Sequence, residues 1–235
     1  LHFRKESKLE KSSGIEIASS FIEVDSMLST AEKHDILPKK ILHLSCVPRK
    51  DTTLLKITVS KNEMGIIYRA TSVLYAHGWD ILEAVAETSV EGYVQDVFVV
   101  RSFNGDDMDE PTLRLIRRDL NSLFFEGVSV IDYMESHGLM RNRFNYLSDP
   151  TAVVKIYNPL SSDFSVMDIR MKDKPGVLFQ ITQILYLFGV DIITFTALTE
   201  DGRIRDSFLL RMETGEKLDE KLIFPRLKQG IEGIL

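Results

Sequence analysis

Residues 168–192 read DIRMKDKPGVLFQITQILYLFGVDI, and residues 57–81 read ITVSKNEMGIIYRATSVLYAHGWDI. Laid over each other at a shift of 111, the stretches pair Lys61 with Lys172, Gly65 with Gly176, Thr71 with Thr182 and Leu74 with Leu185. The same shift pairs Tyr75/Tyr186, Gly78/Gly189, Asp80/Asp191, Ile81/Ile192, Ala86/Ala197 and Thr88/Thr199. One deleted loop residue makes the shift 110, which pairs Gly92/Gly202, Asp96/Asp206, Phe98/Phe208 and Arg101/Arg211. The matches fall at turns and apolar positions, where chance composition would not concentrate them, so the chain carries two copies of one unit.

Each copy has the same order of elements. In the first, Leu55, Ile57 and Val59 alternate with Lys56, Thr58 and Ser60, a half-buried strand. A turn at Asn62–Gly65 leads into a helix whose Ile66, Ala70, Val73, Leu74 and His77 share a face, and Gly78 ends it. Strands follow at Ile81–Thr88 and Tyr93–Arg101. Pro111 then opens a second helix with a stripe of Leu113, Ile116, Leu120, Leu123 and Phe124. Ala152, Val154 and Ile156 alternate as a fourth strand of this copy.

The second copy gives a strand at Val166–Met171, a turn at Lys172–Gly176, a helix at Val177–Phe188 and strands at Asp191–Thr199 and Ile204–Met212. Its last helix, from about Leu218, meets Pro225, which should kink or split it. Residues 40–47 read as a strand that completes the second sheet. The expected fold is α+β: two ferredoxin-like βαββαβ sandwiches in tandem, helices on one sheet face, the other face free to pack on a partner. The expected units are an N-terminal extension over 1–50, a first domain over 52–158 and a second over 163–235. The extension begins with a mobile charged start and carries a short helix over Ala18–Asp35.

Composition narrows the function. Hydrophobic residues at 44% and charged residues at 27% describe a folded chain of 235 residues rather than a disordered one. The net charge of −6 lacks the basic field that nucleic acid or anionic lipid would demand. Cys46, the single cysteine, excludes a disulfide framework and points to a reducing, cytoplasmic setting. The longest aliphatic run, Ile184–Phe188, is too short for a bilayer. The first residue is Leu1, so the chain reads as trimmed or as part of a longer polypeptide.

The turns are the candidate site. A strand that ends in a glycine turn and feeds a helix offers backbone N–H groups and the positive end of the helix dipole, which suit an anion such as an amino-acid carboxylate. Gly65 and Gly176 let backbone approach a ligand with no Cβ in the way. Asp80 and Asp191 open the second strands nearby, where a carboxylate would receive an α-ammonium group. The expected ligand-binding residues are Asn62, Glu63, Met64, Gly65, Ile66, Asp80 and Ile81 in the first copy. In the second they are Asp173, Lys174, Pro175, Gly176, Val177, Leu178, Asp191 and Ile192. Against this stands a purely structural reading, in which the glycines serve the turn and the aspartates bond local backbone. Asp96 and Asp206, inside strands, read as partners of an Arg or a turn, and Tyr75, Tyr186 and Phe188 as core.

These motifs resemble the ACT family of small-molecule-binding regulatory domains. The family favours Asp-x-Pro-Gly and aliphatics between first strand and first helix, matched by Asp173-Lys174-Pro175-Gly176-Val177-Leu178. Gly189-Val190-Asp191-Ile192 and Gly78-Trp79-Asp80-Ile81 match the opening of its second strand. More narrowly, the pair resembles the C-terminal tandem of bacterial PII uridylyltransferase/uridylyl-removing enzymes, which share a Gly-x-x-x-Asp-x-Phe third strand. Here that strand is Gly92–Phe98 and Gly202–Phe208. In the first copy Asn62 and Met64 replace the Asp and Pro of the turn, which sets its ligand binding apart.

The resemblance implies a non-catalytic sensor with a ligand at the domain interface, glutamine foremost. It also implies a partner domain or a second copy met through the sheet faces. Two alternatives stay open: the regulatory part of a larger nucleotidyltransferase, and a ligand-free interaction module. No catalytic, cofactor or metal site is expected. His34-Asp35 lacks companion ligands, and Asp106–Glu110 reads as a solvated loop before a helix.

Overall fold

The computed structural model describes residues 40–60, 63–88, 93–139 and 149–234. The expected helix at 18–35 lies outside them. The elements run β1 (Leu42–Pro48), β2 (Thr53–Val59), α1 (Ile66–Ala76), β3 (Trp79–Thr88), β4 (Val94–Ser102), α2 (Glu110–Phe125) and α3 (Val130–Ser136). They continue with β5 (Val153–Tyr157), β6 (Ser165–Lys172), α4 (Val177–Leu187), β7 (Val190–Glu200), β8 (Arg203–Met212) and α5 (Ile223–Glu232). The architecture is α+β. One antiparallel sheet has the order β1-β2-β4-β3-β7-β8-β6-β5.

The two copies meet edge to edge, not face to face. Ala84 pairs with Ala197 and Ala86 with Phe195 across β3–β7, positions that exchange under the repeat shift. The Thr194 hydroxyl donates to the Ala86 carbonyl at 2.6 Å and ties the seam. One sheet face carries Leu44, Leu55, Ile57, Phe98, Ile169 and Phe208, all nearly inaccessible, beneath the buried sides of the helices.

The outer strands are exchanged relative to the sequence reading. The strand expected from 152–156 is β5, and it pairs with β6 in the second half. The N-terminal strand is β1, and it pairs with β2 in the first half. In each half the outer strand immediately precedes its partner, so a short connection closes the pair at low entropic cost. Arg49 N–H to the Thr52 carbonyl at 2.8 Å closes the first.

Local chemistry sets the helix ends. Gly65 and Gly176, at φ 88° and 77°, precede α1 and α4 in the left-handed region that only glycine adopts without strain. Asp109 caps α2 by accepting from Thr112 N–H at 2.9 Å, with Pro111 in the first turn as expected. Pro225 does not break a helix. The segment from Leu218 turns instead, and α5 starts at Ile223, which places Pro225 in the first turn where its missing N–H costs nothing. The sequence reading had no counterpart for α3. Asp119 holds it: Tyr133 Oη on α3 donates to Asp119 Oδ2 at 3.1 Å, His77 Nε2 at the end of α1 lies 2.8 Å from the same oxygen, and Arg118 Nε donates to Oδ1 at 2.8 Å.

Thr71 and Thr182, equivalent residues on α1 and α4, meet at the seam with hydroxyls 3.0 Å apart. Each hydroxyl also reaches the carbonyl three residues back, Tyr68 at 3.2 Å and Phe179 at 2.9 Å. Each single Thr→Val change is expected to cost about 1 kcal/mol by removing one side of a buried pair. The Thr71→Val/Thr182→Val double variant is expected to cost less than the sum, because no hydroxyl is left behind. Urea denaturation of the three variants reads this coupling.

Candidate functional site

The seam between α1 and α4 carries four aromatic rings in a row. Tyr186 lies 5.1 Å from Tyr68, Tyr68 stacks on Phe179 at 5.8 Å, and Phe179 stacks on Tyr75 at 5.6 Å. Tyr68 and Phe179 are repeat equivalents, as are Tyr75 and Tyr186, so the row follows the internal symmetry. The two outer tyrosines cover the two glycine turns. A Cβ on Gly65 would sit 2.7 Å from the Tyr186 ring, and one on Gly176 would sit 2.5 Å from the Tyr75 ring. Reading Tyr75 and Tyr186 as core missed this. Each belongs to one half and lies over the turn of the other.

Two crevices flank the row, and both are crossed between halves. The first joins Gly65 and Ile66 of the first turn to Tyr186, Asp191 and Ile192 of the second half. The second joins Gly176, Val177 and Leu178 to Tyr75, Asp80 and Ile81 of the first half. The sequence reading expected each aspartate beside the turn of its own copy. Antiparallel pairing of β3 with β7, with α1 against α4, carries each strand start to the opposite turn instead. The crevices hold about 30 Å³ and about 10 Å³ of free space, room for a water molecule or two. The described linings include Glu63 but not Met64, Asp173, Lys174 or Pro175. Asn62 lies outside the described residues.

Each crevice aspartate has an arginine from the neighbouring strand of its own half. Arg211 donates to Asp191 Oδ2 through Nη2 at 3.1 Å and Nε at 3.3 Å, and Arg101 Nη2 donates to Asp80 Oδ2 at 3.3 Å. Arg101 and Arg211 are themselves equivalent, so the pair is a repeated device. In the first turn, Arg69 also pairs with Glu63 at 3.2 Å and donates to the Met64 carbonyl at 3.2 Å.

The electrostatics of the second crevice are acidic. Burial and the nearby Asp173 charge push Asp80 up to about 6, with Arg101 opposing. Burial also raises Asp173. On β8, opposite Ile169, burial pushes Asp206 up to about 8, against a backbone bond at Leu198 and with help from Asp173. Asp96, its equivalent, is raised well above the carboxylate range by burial alone. The sequence reading gave these two acids an Arg or a turn as partner. Among the described residues, both oxygens of Asp96 and Oδ1 of Asp206 have no hydrogen-bond partner.

No protein-family model matches the chain. Curated proteins similar to it include bifunctional uridylyltransferase/uridylyl-removing enzymes. The protein of Novosphingobium aromaticivorans is 22% identical over 190 residues, covering 79% of this chain and 21% of that protein. Those of Ruegeria pomeroyi and Gluconobacter oxydans are each 26% identical, over 154 and 191 residues. This chain thus spans about a fifth of the length of these relatives. Among solved structures, aspartate kinase from Synechocystis aligns over 77% of this chain and 27% of its own, at 14% identity and a TM-score of 0.35. No described helix is long and apolar enough to cross a membrane. Over about two thirds to four fifths of its length, then, the chain is similar at low identity to part of the bifunctional uridylyltransferase/uridylyl-removing enzymes, the group that its paired turns and third strands resemble.

Proposed function

We propose that the chain is a non-catalytic regulatory module, two ACT-like sandwiches in tandem, that binds a free amino acid in the crossed crevices and reports its occupancy to a partner domain. The observation that carries this reading is the pairing of each glycine turn with an Asp–Arg pair of the opposite half. A carboxylate at the turn meets backbone N–H groups and a helix N-terminus. An ammonium group between the halves meets Asp80 or Asp191, already oriented by Arg101 or Arg211. A zwitterion bridges both halves, and its binding energy therefore bears on how they pack.

The crevices are closed by Tyr75 and Tyr186, so a ligand enters by displacing a ring. The two rings end one stack: moving Tyr75 loosens Phe179, moving Tyr186 loosens Tyr68, and those two inner rings stack on each other. The output is a shift of α1 against α4, with coupling of about 1–3 kcal/mol, the usual range for linked sites. Because the relatives are five times longer and named for uridylyl transfer and removal, the receiving partner is proposed to be a nucleotidyltransferase domain of a larger enzyme. The resemblance makes glutamine the first ligand to try.

Thermal denaturation in the presence of each free amino acid tests this. One or a few amino acids are expected to raise the melting temperature, by an amount that grows with the logarithm of concentration above Kd and reaches about 3 kcal/mol of stability at a hundredfold excess. No shift with any amino acid would favour a ligand-free interaction module, the reading that the small crevice volumes support.

A further inference from the structure

We propose that Asp206, and Asp96 in the other half, are the buried acceptors for a ligand amine at the crossed crevices, so that binding of the amine expels a proton from the protein. This rests on the amino-acid reading above and adds to it the buried strand acid and a proton in the balance.

Three observations carry it. The two acids are repeat equivalents on β4 and β8, kept in both halves although most other positions differ. Asp96 and Asp206 are 1% and 4% exposed, and three of their four carboxyl oxygens have no hydrogen-bond partner among the described residues. An unpartnered buried carboxyl costs stability and is not needed for packing at a strand position where an apolar residue would serve.

Their positions point at the crevices. Asp96 pairs across the ladder with Ala86, and Val94 precedes it by two on the same face. Ala86 and Val94 line the Gly65 crevice, so Asp96 lies one residue beyond its wall. Asp206, the repeat equivalent of Asp96, pairs across the ladder with Ile169 on β6, the strand that runs into the Gly176 turn, and Asp173 of that turn acts on both Asp206 and Asp80. The two acids that act on each other there, Asp80 and Asp173, face one base, Arg101, which is half exposed, while Asp206 holds its proton. The excess is negative, and a cation relieves it.

The proton balance is simple. In the empty protein Asp206 carries its proton at neutral pH, in keeping with a pKa near 8. An ammonium group arriving within hydrogen-bond distance favours the carboxylate. The proton leaves to solvent, the ammonium keeps its three protons, and a charge-assisted bond forms. The free Oδ1 accepts it, and the bond at Leu198 stays with the other oxygen.

Isothermal titration with L-glutamine, then with each other amino acid, in two buffers of different ionisation enthalpy at pH 7 reads the proton directly. Release of about one proton per bound ligand is expected. Asp206→Asn keeps the size and a side-chain oxygen that accepts from the Leu198 backbone. It is expected to abolish that release at the Gly176 crevice and to weaken binding about 10- to 100-fold, in a protein shown to be folded by its melting curve. Binding with no proton release, or release undiminished in both Asp206→Asn and Asp96→Asn, overturns the proposal and leaves the amino-acid site standing. Binding of none of the amino acids overturns the site itself and the proposal with it.

Discussion

Asp206→Asn melts at a higher temperature than the parent chain at pH 7 and at a lower one at pH 4. The ordinary carboxylate value is 3.8, and the folded one is pushed up to about 8. Between those values the native state holds a proton that the unfolded chain releases. Stability is therefore lost as pH rises through this window, by about 1.4 kcal/mol per unit, and the loss stops above about pH 8. At pH 7 the accumulated cost is about 4 kcal/mol. Asn never ionises and so escapes it, but brings an amide N–H₂ that costs about 1–3 kcal/mol to bury unpaired. The expected net gain is about 1–3 kcal/mol, or about 3–10 °C for a chain of this size. Asp96→Asn is expected to move the same way, because burial alone raises its acid. Melting curves at pH 4, 6 and 8 check this. A gain that does not grow with pH would show that Asp206 is ionised in the folded protein.

Gly176→Ala is the opposite case, with a large loss. The residue sits at φ 77°, where a Cβ costs about 1–2 kcal/mol. That Cβ would also lie 2.5 Å from Tyr75 Cε2, a separation that real Cβ atoms essentially never show, so the ring must leave its stack on Phe179. Losing that aromatic contact adds about 0.5–1.5 kcal/mol, and the displaced ring more. The expected total is about 2–4 kcal/mol. Gly105→Ala is the control, because Gly105 has φ 80° and nothing within 4 Å of its Cβ position. It is expected to cost the backbone strain alone. The Gly176→Ala/Tyr75→Leu double variant should lose less than the sum of the singles by about 1 kcal/mol or more. Urea denaturation measures all four. Equal losses at Gly176 and Gly105 would mean that Tyr75 does not close the crevice.

The internal repeat was legible because it is written in turns and periodicity. Gly65 and Gly176 must be glycine for their positive φ, and the alternation of Leu55, Ile57 and Val59 can only be a half-buried strand. Strand exchange was not legible. Val153–Tyr157 alternates in the same way whichever sheet edge it joins, and only the hairpin-like closeness of β5 to β6 decides between them. The seven residues of α3 are too few to show a period, and their anchor on Asp119 is tertiary.

The candidate site divides along the same line. The turns and Asp80 and Asp191 stand out as repeated polar and glycine positions. Their crossing follows from β3 pairing with β7, a contact between residues more than a hundred positions apart that no local pattern encodes. Asp96 and Asp206 were visible as a repeated acid in an apolar strand. Their want of a partner belongs to the packed core, and the sequence pattern gave no sign of it.

Trp79, the single tryptophan, lines the crevice that joins Gly176 to Asp80. Its emission during titration with free amino acids tests the crossed site directly. The account predicts a saturable change with at least one amino acid, lost in Asp80→Ala and retained in Asp191→Ala, since Asp191 serves the other crevice. A change lost in Asp191→Ala and retained in Asp80→Ala would place the ligand within one half and contradict the crossing. No change with any amino acid would contradict the site.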